Sequence, residues 1–349
     1  MNSLPSLLKH SLKWGCSSAL IAAMLGNSAL ASETPKEIWH DAIASGYASL
    51  ADQAQVLHNA SAAYCNKPSS DARTAITAAW GEAFDDWQAV RFVDFGPIER
   101  NNMAWQFQFW PDPKNTIARK ADFWLNGEQP ITQEQLEGDS IAVKGFPALE
   151  YLLFDPAAAK SHPLPDERSC DLLTGISSLI QRNSKELREQ WQAFRPHYLA
   201  NDQFQRTTIL AAMHSLELIR NKRLGAPMGL QGKPRRNAYL ADAWRSEHSL
   251  PAIRATLNGL QDYFLPGLRA VLTTPAGEEL ANRFDRQLSA AITRLDKQPA
   301  SMRQLLADDD GYRSLQLVFI EIDKLNQLLG GEIASELGIV RGFNSTDGD

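Results

Sequence analysis

Apolar residues recur along most of this chain at intervals of three and four positions, which is the spacing of an amphipathic α-helix. A first helix is predicted from Ile38 to Cys65, and a second follows through Ile76 and Trp87. Further helical stretches cover residues 117–125, 145–154, 166–193, 202–224, 251–271, 277–295 and 310–329. Because β-branched runs bounded by turns are few, the pattern predicts an all-α protein.

Two segments interrupt the helical pattern. Gly96-Pro97 breaks the period within residues 92–98, which we interpret as an irregular link that could line a cleft. Residues 225–234, rich in glycine and proline, form the clearest loop in the chain.

The order of the long helices indicates the domain organisation. The chain has 349 residues, which is long enough for two domains. Short connections between long helices are typical of antiparallel bundles. We predict two such bundles in series, an N-terminal one over residues 32–200 and a C-terminal one over residues 201–349, with their boundary within residues 195–205.

The first 31 residues have the composition of a secretory signal peptide. Lys9 and Lys13 precede an apolar run over residues 17–25, and small residues lead to a predicted cleavage after Ala31. Cys16 lies before the apolar run, which argues against a lipoprotein site. Since no later stretch has the roughly 20 consecutive apolar residues that span a bilayer, we expect a protein of the periplasm or cell envelope without a transmembrane segment.

The charge of the chain excludes one class of partner. The formal charge of −6 becomes −8 when the predicted signal is removed, because Lys9 and Lys13 are lost and no acid is. Nucleic-acid binding needs clustered Lys and Arg, so we expect no nucleic-acid partner.

Two cysteines, Cys65 and Cys170, remain in the predicted mature chain. An even pair in an oxidising compartment favours a disulfide, which would stabilise the fold by about 2–4 kcal/mol. The alternative is two buried free thiols.

The segment with most chemical information runs from Gly145 to Leu153. A metal-binding G-x-H-x-x-E motif places His and Glu on one helix face, so that both can ligate one metal. Here Pro147 occupies the histidine position and Glu150 remains. The segment nevertheless resembles the signature of the imelysin (peptidase M75) family. Residues 244–249 and 337–349 are also similar to segments of that family.

The resemblance implies a fold and a class of function. Imelysins are two helical bundles with a site between them, so a cleft is expected here. The family is associated with the bacterial cell envelope and with iron uptake or iron-regulated metal handling. Its name implies a metallopeptidase, whereas the missing histidine makes us favour a protein that is not an enzyme.

A second pair with the same spacing, His214 and Glu217, lies on a predicted helix. A metal set of Glu150, His214 and Glu217 would suit iron or another divalent ion as cofactor. The alternative is that His214 is an ordinary packed residue.

Further acids could line the cleft. The predicted ligand-binding residues are Gly145, Pro147, Glu150, Glu247, Glu99 and Asp94. Glu247 lies in the serine-flanked segment beside His248, and Asp94 and Glu99 flank Gly96-Pro97. For Glu247, Asp94 and Glu99, helix capping or simple solvation is the alternative. For Glu150, the alternative is a hydrogen-bonded acid on a helix that Pro147 starts.

Three functions remain open at this stage. The first is a non-catalytic binding protein whose cleft takes a metal ion, a metal chelate or a peptide-like ligand. The second is a divergent metallopeptidase that uses His214 and Glu217. The third is a scaffold that binds another envelope protein, through either the aromatic-rich first half of the chain or the terminal residues 342–349.

Overall fold

The computed structural model describes residues 33–232 and 234–339. Two long antiparallel helices form the centre of the molecule, α1 (Pro35–Asn66) and α8 (Glu167–Ala200). At one end Lys36 Nζ donates to the carbonyl of Leu199 at 2.6 Å. At the other end Cys65 is bonded to Cys170, with 5.6 Å between the Cα atoms. The predicted disulfide is therefore confirmed.

All regular structure within the described residues is helical, and the predicted all-α fold is confirmed. The α-helices are α1 (Pro35–Asn66), α2 (Ser70–Val90), α3 (Met103–Phe107), α4 (Thr116–Asn126), α5 (Gln133–Gly138), α6 (Gly145–Phe154), α7 (Pro156–Ser161), α8 (Glu167–Ala200), α9 (Gln203–Leu218), α10 (Ser249–Gly259), α11 (Leu265–Val271), α12 (Pro275–Asp296), α13 (Met302–Leu306), α14 (Asp309–Gln327) and α15 (Ala334–Glu336). Short 3₁₀ turns cover Gly96–Asn102, Ile141–Val143 and Ala238–Leu240. Wider π turns cover Ile219–Gly225, Leu260–Phe264 and Leu328–Ile333.

The helix starts carry the expected capping chemistry. Thr34 accepts from the amide of Glu37, and the Glu37 carboxylate accepts from the amide of Thr34, so that α1 begins with a capping box. The side chains of Ser69 and Asp308 cap α2 and α14 by accepting the backbone amides of Ala72 and Gly311.

Four buried tryptophans join the long helices, and each donates its ring N–H. Trp39 donates to the carbonyl of Phe264, Trp80 to that of Phe146 and Trp191 to that of His40. Trp87 donates to the Gln108 side chain at 2.9 Å. These rings supply large apolar area without leaving a buried donor unsatisfied, so core packing explains Trp39, Trp80 and Trp87 of the first half of the chain.

The helices around α6 position the functional site. Helix α6 packs on α8, α4 and α2, while α10 packs along α2. The chain between the π turn Ile219–Gly225 and α10 contacts α6. There the backbone amides of Arg245 and Ser246 donate to the Glu150 side chain. Helices on both sides of residue 200 thus share contacts, and the division into bundles over 32–200 and 201–349 stays a prediction.

Two predicted segments lie outside the described residues: the signal peptide of residues 1–31 and the terminal residues 342–349. In the part of the chain that is described, none of the helices combines the length and apolar character needed to cross a bilayer.

Candidate functional site

A cavity of about 390 Å³ lies beside α6, enclosed by α2, the segment before α4 and the segment before α10. Six aromatic side chains form much of its wall: Trp80, Phe84, Phe109, Trp110, Tyr239 and Trp244. Its polar lining consists of Gln108, Asp112, Asn115, Glu150, Asp155, Asn237 and Arg245. A partly open, mostly apolar cavity with a few converging polar groups is typical of a ligand site.

The start of α6 brings Glu150 to this cavity. Gly145 has a φ of +73°, and a Cβ there would lie 2.3 Å from the carbonyl oxygen of Phe107, so only glycine fits. Pro147, the third residue of α6, lines the cavity, and Glu150 does so one turn later. Pro147 and Glu150 therefore both line the cavity, while Gly145 fixes the backbone at the start of α6, and a role of the three in binding stays a prediction.

Glu150 is 3% exposed, and one of its two oxygens is fully engaged. Oε1 accepts from the amide of Arg245 at 2.9 Å and from the amide of Ser246 at 2.8 Å. The Ser246 hydroxyl lies 2.9 Å from the same oxygen. Among the described residues none donates to Oε2, which leaves that oxygen for a ligand.

Burial determines the titration of Glu150. Removal from water raises the pKa of this carboxyl above its ordinary value, although the hydrogen bonds from Ser246 and the charge of Arg245 oppose that rise. A cationic partner at Oε2 would favour the ionised form.

The Arg245 side chain is already paired with other residues. Its Nε donates to Asp155 at 2.8 Å, and Nη2 donates to Asn115 at 3.0 Å. The guanidinium lies 4.3 Å from the centre of the Trp244 ring and 5.5 Å from that of Tyr151. Arg245 therefore neutralises Asp155 and stacks on the cavity wall.

Two more polar residues of the lining have defined roles. Both Asp112 oxygens accept backbone amides, from Thr116 at 2.7 Å and Ile117 at 2.9 Å, so Asp112 anchors the start of α4. Gln108 Oε1 accepts from Trp87 and Gln88. Its amide nitrogen donates to no described residue and can meet an acceptor on a ligand.

A buried ion pair attaches the loop before α10 to the π turn Ile219–Gly225. Arg223 and Asp242 are 1% and 0% exposed, and Arg223 Nε lies 2.9 Å from Asp242 Oδ2. Arg91 lies 3.9 Å from the same carboxylate. Burial, together with the nearby Arg223, lowers the pKa of Arg91 to about 10, which leaves it charged at neutral pH.

A second contact links the same loop to α2, because His248 Nε2 lies 2.8 Å from Asp85 Oδ1. The His248 ring also meets the edge of Trp80 and packs near Phe84, with ring centres 5.9 Å and 6.3 Å apart. The loop that supplies the Arg245 and Ser246 amides is thus fixed on two sides.

The other predicted acids lie elsewhere. Asp94 is half exposed and lies 3.1 Å from His214 Nδ1. Glu99 is exposed and accepts from the amide of Gly96 at 2.8 Å, which is a capping role. Glu247 is exposed and has a φ of +59° in the turn before α10.

The predicted metal set is not assembled. Within residues 33–232 and 234–339, no three or more His, Cys, Asp or Glu side chains lie close enough to hold a metal ion. His214 is 49% exposed and faces Asp94, while Glu150 lines the cavity. The donor set therefore does not fit a metal ion held by protein ligands alone.

The residues that sequence reasoning missed are Arg245, Ser246 and Asp155, together with the aromatic wall. The segment over residues 244–249 was singled out for Glu247 and His248, whereas the structure uses its backbone amides and the Ser246 hydroxyl. The available signal was the serine beside the glutamate. No sequence pattern indicates that the backbone amide of Arg245 donates to Glu150.

Comparison with known proteins gives a consistent result. The sequence model of the imelysin family, peptidase M75, matches residues 43–329. An imelysin-like protein from Psychrobacter arcticum 273-4 has a similar structure, with a TM-score of 0.78 and 22% identity over 88% of this chain and 96% of that one. A putative iron-regulated protein A precursor from Parabacteroides distasonis ATCC 8503 is similar at a TM-score of 0.66 and 14% identity, over 88% and 97% of the two chains. No curated protein matches the sequence. At these identities the two structures show a shared all-α fold.

Proposed function

The chain belongs to the imelysin family, and from this premise we propose that it is a non-catalytic binding protein of the cell envelope, which holds a small ligand in the cavity beside Glu150. One observation carries the proposal. Glu150 is buried at an aromatic-walled cavity, its Oε1 is occupied by the loop before α10, and no described residue donates to its Oε2.

The arrangement is a preorganised binding site. Fixing Glu150 through two amides and a hydroxyl removes the conformational freedom that a free carboxylate would lose on binding. Gly145 and the buried Arg223–Asp242 pair fix the two segments that meet there. A ligand would therefore meet a rigid carboxylate within an apolar enclosure, where a polar contact is stronger than in water.

The donor set argues against the divergent peptidase. A zinc peptidase site needs two or three protein ligands on one ion, and Glu150 has Pro147 as its neighbour one turn earlier. The alternative pair of His214 and Glu217 does not line the cavity, and His214 faces Asp94. A role in hydrolysis would require ligands that the described residues do not bring together.

Iron handling and export are part of the proposal. Similarity to a putative iron-regulated protein supports a role in metal handling. That protein is a precursor, which supports export. Since the described residues of the cavity do not form a metal set, iron would enter it as an organic chelate, and the acidic lining would favour one with a positively charged group. The predicted signal peptide of residues 1–31 supports a periplasmic or envelope location.

The test is a binding titration of the mature protein, followed by intrinsic tryptophan fluorescence because Trp80, Trp110 and Trp244 line the cavity. Ferrous ion, zinc ion, ferric citrate and an aromatic dipeptide amide serve as probes. We expect saturable binding of at least one organic probe, weakened about tenfold or more by Glu150→Gln because a hydrogen bond to a charged group is lost.

The exposed Glu247 provides the matched control, since Glu247→Gln removes an equal charge outside the cavity. Equal loss of binding in both variants, or no saturable binding of any probe, would contradict the proposal. Cleavage of the dipeptide amide that a chelator abolishes would favour the peptidase instead.

A further inference from the structure

We propose that the ligand of this cavity is an organic ammonium ion, an aromatic or apolar body whose protonated amine binds Glu150 Oε2; this inference rests on the binding function proposed above. It specifies the charge and shape of the ligand. Three independent features of the cavity carry it: the charge balance of the lining, the aromatic wall and the remaining hydrogen-bonding atoms.

The lining has an excess of negative charge. Among the described lining residues, Asp112, Glu150 and Asp155 face a single cationic side chain, Arg245. That cation is already paired with Asp155 at 2.8 Å. Asp112 is satisfied by two backbone amides. Among the described residues, Glu150 is therefore the lining carboxylate with neither a salt-bridge partner nor a full set of amide donors, although the charge of Arg245 still acts on it. An anionic ligand would meet no lining cation that is not already paired.

The aromatic wall suits a cation as well as an apolar body. A positive group within about 6 Å of a ring centre is attracted by the ring, most strongly by tryptophan. The structure contains an internal example, because the Arg245 guanidinium lies 4.3 Å from the centre of the Trp244 ring. Trp80, Phe84 and Phe109 provide further ring surface around the same space, whereas Trp110 already has the Arg91 guanidinium 5.8 Å from its centre and Tyr239 has that of Arg303 at 5.7 Å.

The remaining polar atoms specify the neighbourhood of the amine. An ammonium group has three donors and no acceptor, which matches the carboxylate oxygen Glu150 Oε2. Gln108 presents an amide nitrogen whose oxygen is held by Trp87 and Gln88. That nitrogen can donate to a carbonyl next to the amine. Both a simple aromatic amine and the amino terminus of a peptide satisfy this pattern.

A bare metal ion is a poorer fit, because Glu150 Oε2 alone cannot replace the several ligands that a metal loses with its hydration shell. A single ammonium needs one strong acceptor, and its remaining surface can rest on aromatic rings. The cavity offers that combination.

The test compares probes that differ only in charge. The mature protein is titrated at pH 7.5 with 2-phenylethylamine and its neutral isostere 2-phenylethanol. A second pair is phenylalanyl-phenylalanine amide and its N-acetylated form, which removes the charge of the peptide terminus. We expect each charged probe to bind about tenfold or more tightly than its neutral partner, because the charge-assisted hydrogen bond to Glu150 is lost in the latter. The two pairs distinguish a free amine from a peptide as its source.

Two variants assign the binding to the cavity. Glu150→Gln is expected to abolish the preference for the charged probe, whereas Glu247→Gln preserves it. Tyr239→Ala removes a ring of the cavity that is 63% exposed and should leave folding intact while it weakens the amine probes. Phe123→Ala, at 59% exposure, is its control outside the cavity lining.

Equal binding of charged and neutral probes would overturn the ammonium inference and leave the binding function standing. If ferric citrate is the one probe that binds, and its binding depends on Glu150, the ammonium inference is overturned and the binding function stands. Absence of saturable binding for every probe, or binding insensitive to Glu150→Gln and Tyr239→Ala, would overturn both proposals.

Discussion

Glu150 Oε1 accepts two hydrogen bonds from Ser246, a residue 96 positions later in the chain. The Ser246 amide donates at 2.8 Å and its hydroxyl at 2.9 Å. This relationship joins α6 to the loop before α10. The Ser246 hydroxyl also lies 3.1 Å from the carbonyl of Ala243, and with one proton it can donate to only one of them at a time. Glu150 is thus a structural anchor through one oxygen and a candidate ligand contact through the other.

Ser246→Ala should lower the free energy of unfolding by about 1–3 kcal/mol, because a buried charged acceptor loses a donor. Urea unfolding followed by circular dichroism measures the change. Ser70→Ala, at the exposed first residue of α2, should change stability by less than about 0.5 kcal/mol. An equal effect at the two serines would show that the Ser246 hydroxyl does not support Glu150.

Asp242→Asn should destabilise the fold by about 3–5 kcal/mol, because it leaves the buried Arg223 without a counter-charge. Asp242 is also the neighbour of Arg91, so two arginines share one carboxylate. Chemical unfolding measures the change. Double replacement by Arg223→Met and Asp242→Leu should recover part of the lost stability, since neither of these two residues then buries a charge. The recovery is partial because Arg91 loses its counter-charge.

The control for that experiment is an exposed ion pair. Arg283 donates to both oxygens of Glu332 at 2.7 and 2.8 Å, and the side chains are 42% and 55% exposed. Glu332→Gln should destabilise the fold far less than Asp242→Asn does, because exposed pairs contribute little. If Asp242→Asn costs no more than Glu332→Gln, the buried pair does not hold the loop.

The raised pKa of Glu150 predicts a pH dependence of stability with a defined sign. Burial raises the pKa of this carboxyl above its ordinary 4.5, so in the interval between the two values the folded protein keeps a proton that the unfolded chain has released. The corresponding contribution is fully present below pH 4.5 and is lost as pH rises through the folded pKa.

Wild type and Glu150→Gln, unfolded in urea at several pH values, provide the measurement. The stability of the wild type relative to the variant should fall as pH rises toward neutrality, because glutamine does not titrate. Glu247→Gln should show no such trend relative to the wild type if Glu150 is the source. A relative stability that rises with pH would mean that the hydrogen bonds from Ser246 outweigh burial.

The fold was largely predictable because it depends on a periodic signal. The three-and-four spacing gives the long helices, and α8 differs from its predicted end by continuing through Pro196 to Ala200. The π turn Leu260–Phe264 was not predicted, because the apolar spacing continues from α10 into α11 across the flanking Gly259 and Pro266. The disulfide followed from compartment and cysteine number.

The site was predictable only where its chemistry depends on residue identity. Gly145, Pro147 and Glu150 belong to a recognisable motif, and they do line or frame the cavity. The partners of Glu150 are backbone amides, which every residue except proline possesses, so no pattern could single out Arg245 or Ser246 for that role. Asp94 and Glu99 fell in an irregular segment whose path the sequence does not determine.

Pro147→His tests whether one residue separates this cavity from a metal site. Pro147 and Glu150 both line the cavity and lie three positions apart on α6, so histidine and glutamate would share one helix face. We expect the variant to gain saturable, chelator-reversible binding of zinc or ferrous ion that the natural protein lacks. Isothermal titration of metal-stripped protein measures it, and Pro147→Ala controls for the effect of losing proline at the start of the helix. Equal metal binding by all three proteins would place the metal elsewhere, whereas no gain in the histidine variant would show that Glu150, already committed to Ser246, cannot serve as a ligand.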